Sequence, residues 1–152
     1  VLHTFQQPVI AAQGFYVKPR TIGFAAYLSA SAAHLRLVRQ LTALTLREAG
    51  VDAGMCDNVQ LVASELIGNS VRACGDHVPL VVEVDAGPAG VWVKVHDPDA
   101  DRLPERSAMP LDDDVAESGR GLGLVDYLAP GWQVRVTPLG KQLVCWLPLR
   151  PR

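Results

Sequence analysis

The chain has 152 residues, 49% hydrophobic and 20% charged, with a formal net charge of −2. That length suits one domain with a real core, and the balance excludes an intrinsically disordered chain. It also gives no basic footprint for direct nucleic-acid binding.

Residues 1–22 show no clear period and are broken by Pro8, Gly14 and Pro19. They read as an N-terminal arm with room for one short strand, ahead of a domain over 23–150. "GFAAYLSA" (23–30) is the first strand of that domain. Ser29 or Ser31 then offers an oxygen to cap a helix from 32 to 49. Leu35, Val38, Leu41, Thr42 and Thr45 recur along it at helical spacing, and Gly50 closes it. A second helix over roughly 55–73 carries an apolar stripe of Val59, Val62, Ala63, Leu66, Ile67 and Ser70. Gly75 ends it. "PLVVEVDA" (79–86) and "VWVKVHD" (91–97) alternate around a "GPAG" turn and predict a β-hairpin. Residues 98–118 hold three prolines, many charges and no period, the mark of a functional loop. "GRGLGLVDYLA" leads into a short helix, and "WQVRVTPLGKQLVCWLPL" (132–149) predicts a second hairpin turning at Pro138–Gly140. The order predicts an α+β two-layer sandwich, with a mixed, mainly antiparallel sheet and helices on one face.

No apolar run approaches the about 18 residues that span a membrane. The first residues lack the charged and apolar regions of a secretory leader. Cys56, Cys74 and Cys145 are too few for a disulfide framework and lack zinc-site spacing, so they read as small core residues. The expectation is a reducing, cytoplasmic compartment.

Three pieces carry chemistry. Glu65 and Asn69 stand i, i+4 on the second helix and so share a face. The Asn69 carboxamide oxygen suits a hard cation such as Mg²⁺, and Glu65 suits the orientation or deprotonation of a nucleophile beside it. Exposed polar pairs at this spacing are also commonplace. Asp97 ends a strand, where its carboxylate can accept from an exocyclic amine such as that of adenine, or simply cap an Asp-Pro turn. Gly119, Gly121 and Gly123 open a helix and let backbone N–H groups approach an anion, or else make a plain flexible turn. Rossmann and Walker patterns both fail around these glycines, because no strand leads into them and no Lys-Ser/Thr follows.

Taken in this order, "SELIGNSVRA", "DPDAD" and "SGRGLGL" resemble the N box and the two glycine boxes of the Bergerat-fold (GHKL) ATP-binding domain. The resemblance spans roughly residues 24–149, with 98–118 in the place of the ATP lid. At this size it is nearest the small anti-sigma serine-kinase-like regulators of the actinobacterial type. "AHLRLVRQ" is superficially similar to a phosphoacceptor box at His34, yet lacks the following proline and reads as a helix-surface histidine.

The resemblance implies ATP and Mg²⁺ as cofactors. It assigns Asn69 to the metal, Glu65 to catalysis and Asp97 to adenine. Gly119, Arg120, Gly121, Leu122 and Gly123 would line the phosphates, with Arg120 or Arg102 adding charge. The implied activity is phosphorylation of a serine on an anti-anti-sigma (STAS-type) partner, controlling a sigma factor by partner switching, in a homodimer. The alternative is a non-catalytic protein-interaction module of the same fold, with or without nucleotide. Three positions depart from the family pattern: Asp99 where a glycine is usual, Gln142 where a threonine is usual, and Ala73 where relatives often carry histidine. Arg72 reads as a structural residue, through an ion pair or its packed stem. Trp92, Trp132 and Trp146 read as core or sheet-face packing.

Overall fold

The computed structural model describes residues 14–101 and 117–149, with the backbone alone over 117–121. Two short strands come first, β1 (Phe15–Arg20) and β2 (Gly23–Ser29). Helices α1 (Ala32–Glu48) and α2 (Ala53–Cys74) follow, then the hairpin of β3 (Pro79–Ala86) and β4 (Gly90–Asp97). Helix α3 (Glu117–Leu128) leads to the hairpin of β5 (Gln133–Thr137) and β6 (Gly140–Pro148). The six strands form one sheet in the order β1-β2-β3-β4-β6-β5. Every pairing is antiparallel. The architecture is therefore α+β, as the order of elements predicts.

Local chemistry sets the helix ends. The Ser31 hydroxyl accepts from the His34 N–H at 3.2 Å to cap α1, and Gly50 beyond it takes a φ of +79°. Asp52 caps α2 by accepting from the Met55 N–H at 2.8 Å. Each such cap stabilises its helix by about 1 kcal/mol. Gly75, at φ +99°, ends α2.

The core lies between the helices and one face of the sheet. Phe24, Ala26 and Leu28 of β2 meet Leu80, Val82 and Val84 of β3. The layer continues through Val91, Val93 and Val95 of β4 to Leu143, Cys145 and Leu147 of β6. Val59, Val62, Leu66 and Ile67 of α2 pack down onto it. Strict alternation sends the remaining side chains to the other face. There Trp92 and Trp146 stand side by side, ring centroids 4.7 Å apart, while Trp132 is buried and donates its indole N–H to Asp126 at 2.6 Å. Arg20 bridges Asp85 and Glu83 on that outer face. No described helix is long and apolar enough to cross a membrane.

Candidate functional site

Helix α2 brings Glu65 and Asn69 to one face, one turn apart, and both are half-buried. The helix packs against both α3 and β4. Its anchor to the sheet is Ser70, the residue after Asn69, whose hydroxyl donates to Oδ2 of Asp97. Helix α2 is thus tied to the end of β4 one residue after Asn69. Arg72 is exposed, and its guanidinium lies back over Gly68.

Asp97 is the last residue of β4 and is only 1% exposed. Lys141 of β6 stands directly opposite it in the register and is fully buried. Direct cross-strand partners point to the same face. The Lys141 ammonium lies 2.9 Å from each of the two Asp97 oxygens. It also donates to the Asp99 carbonyl at 3.1 Å. The Asp99 N–H donates to Oδ1 of Asp97 at 3.0 Å, closing an Asx turn over Pro98.

A glycine permits this approach. Gly140 has a φ of +147°, and a Cβ there would fall 1.9 Å from the Asp97 carbonyl oxygen. Only glycine lets the β5–β6 turn pass so close to Asp97 and Pro98.

Helix α3 starts at Glu117, so Gly119, Gly121 and Gly123 lie within its first two turns rather than in a loop ahead of it. Leu122 is buried and Gly123 half-buried. The side chain of Arg120 and the whole of Arg102 lie outside the described residues, as does most of the 98–118 loop.

Two residues escaped sequence reasoning. Ser70 reads as one more member of the apolar stripe, and it is indeed fully buried, but its hydroxyl is what reaches Asp97. Lys141 sits one residue before the position that draws attention. Gln142 points to the outer face and donates to Glu83 at 3.1 Å, so it does not meet Asp97. The departure at Asp99 also changes meaning. Its backbone N–H holds Asp97, and a glycine would supply the same group. His34 is half-buried, with Nδ1 2.7 Å from the Ser29 carbonyl and its ring 5.3 Å from that of Phe15.

The residues fit a Mg²⁺–nucleotide unequally. At the phosphate end, a half-buried carboxamide is the right acceptor type for a hydrated cation, and the start of α3 offers an anion its free N–H groups up to Gly119, whereas those of Gly121 and Gly123 are committed within the helix. At the base end the fit fails. An ionised carboxylate has about four acceptor positions, and Lys141, Ser70 and the Asp99 N–H occupy those of Asp97. Among the described residues no buried side-chain nitrogen or oxygen is left without a partner.

A comparison with family models matches the histidine kinase-like ATPase domain over residues 28–145, more than three quarters of the chain. A comparison with curated proteins finds no match. The matched span runs from the end of β2 into β6 and includes Glu65, Asn69, Asp97, all three glycines and Lys141. The chain belongs to the histidine kinase-like ATPase domain family.

Proposed function

We propose that the protein is an ATP-dependent serine kinase of the anti-sigma type, which phosphorylates an anti-anti-sigma (STAS-type) partner and so controls a sigma factor by partner switching. The observation that supports this reading is the half-buried face of α2 that carries Glu65 and Asn69 one turn apart, with the next residue, Ser70, tied to the end of β4. Asn69 would hold Mg²⁺ through its carboxamide oxygen. The free N–H groups at the start of α3, up to Gly119, would receive the phosphates, and Gly121 and Gly123 would put no side chain against them. ATP, when bound, supplies the phosphoryl group.

The chain's own contribution is positional. Phosphoryl transfer depends mainly on orientation and electrostatic stabilisation, so a short list of residues suffices. Glu65 would orient the partner's serine hydroxyl and take its proton. Residues 98–118, including Arg102, would stand in the place of a lid, and two such domains would form a homodimer. A phosphate added to the partner changes its charge by about −1.5 to −2 and so switches which complex forms.

One observation favours a second reading. The saturated acceptor set of Asp97 suits a protein-interaction module of the same fold without kinase activity. The two readings part in a single assay: incubation of the protein with labelled ATP, Mg²⁺ and a STAS-type partner, followed by phosphoserine analysis. Transfer lost in Glu65→Ala supports the kinase. Measurable ATP binding with no transfer supports the module.

A further inference from the structure

We propose that Asp97 is the structural partner of Lys141 and not a base reader, so that a nucleotide bound by this chain gains nothing from an amine over a carbonyl at the purine 6-position. The inference rests on the nucleotide-binding half of the proposed function and concerns the specificity of that site.

The count of donors and acceptors is closed on both sides. Oδ1 of Asp97 accepts from Lys141 and the Asp99 N–H, and Oδ2 accepts from Lys141 and the Ser70 hydroxyl. The ammonium of Lys141 has three N–H donors, and it faces both Asp97 oxygens and the Asp99 carbonyl. An exocyclic amine can only donate. At Asp97 it would meet a carboxylate with no acceptor position to spare and a cation that also only donates. A base carbonyl gains nothing there either, because the ammonium is already satisfied. Neither an amine nor a carbonyl at the purine 6-position has a reward at this end of the site.

Nor is the pair easily opened. Lys141 is 0% exposed and Asp97 1%. Separating a buried ion pair strands a charge away from water, and the penalty would weaken any nucleotide that required it by about 10²–10⁴-fold. The backbone holds the two together as well. They are direct register partners on the core face, and Gly140 locks the turn against the Asp97 backbone.

The test is a titration of the full chain with ATP, ITP and GTP, each with Mg²⁺, followed by calorimetry. ITP carries a carbonyl where ATP carries the amine. The three dissociation constants are expected to agree within about threefold, since no net hydrogen bond distinguishes them. ATP bound tenfold or more tightly than ITP would overturn the inference and leave the proposed function standing. The double variant D97N/K141M removes both charges and keeps an amide oxygen for Ser70. Its affinity for ATP is expected to stay within about threefold of the parent; a loss of tenfold or more also overturns the assignment. Binding of none of the three nucleotides overturns this inference together with the proposed function.

Discussion

Replacing Lys141 with methionine should destabilise the fold by about 3–5 kcal/mol, because it leaves the Asp97 carboxylate buried without its cation. The structure sets that magnitude. Both groups are effectively inaccessible to water, with two oxygen–nitrogen distances of 2.9 Å. A surface pair of the same geometry would contribute under about 1 kcal/mol. The Ser70 hydroxyl and the Asp99 N–H remain after the substitution, and they soften the loss without neutralising the charge. For a chain of this length, 3–5 kcal/mol lowers the melting temperature by about 6–20 °C. The assay is urea unfolding followed by circular dichroism, with D97N/K141M measured alongside. The double variant should recover most of the loss, since replacing a whole buried pair is often close to neutral. A cost below about 1 kcal/mol for Lys141→Met, or a double variant no better than the single, would refute the reasoning.

Other substitutions test other contacts. Asn69→Ala should leave the melting temperature within a few degrees, since the side chain is only half-buried, yet abolish Mg²⁺-dependent ATP binding in calorimetry. Glu65→Ala should bind ATP like the parent and lose phosphotransfer; transfer at the parent rate would remove Glu65 from the role of base. Gly140→Ala should cost at least about 2 kcal/mol in denaturant unfolding, because its Cβ has no room beside the Asp97 carbonyl. Burial, with Asp52 and Asp57 adding to it, pushes the half-buried Cys56 thiol above its ordinary range. Its thiolate fraction at pH 8 is correspondingly small, so Cys56 should react with a maleimide more slowly than a free thiol, and the rate should climb as the pH is raised past 9.

Most of the fold was legible because its signals are local. Capping residues, the 3.6-residue stripe of α2 and the alternating valines of β3 and β4 fix element type within a few neighbours. The Glu65–Asn69 pair was legible for the same reason, since i, i+4 spacing is a property of one helix. Asp97 was found as a strand-end carboxylate, but its partner was not. Asp97 and Lys141 are 44 residues apart in the chain, and only the register of β4 against β6 brings them together. One residue of register decides which of Lys141 and Gln142 faces the core, and a period of two cannot say which. Ser70 was hidden differently. A small hydroxyl residue in an apolar stripe looks like filler until the strand it touches is known. The glycines that open α3 left a flexible turn as an alternative because glycine is a poor helix former; here they occupy the first two turns of a helix held by packing against α2.

The measurement closest to the central claim is calorimetric titration of the full chain with ATP, with and without Mg²⁺. The expected result is saturable binding that requires Mg²⁺ and disappears in Asn69→Ala. No binding heat at any accessible ATP concentration, in the presence of Mg²⁺ and a folded parent chain, would contradict it.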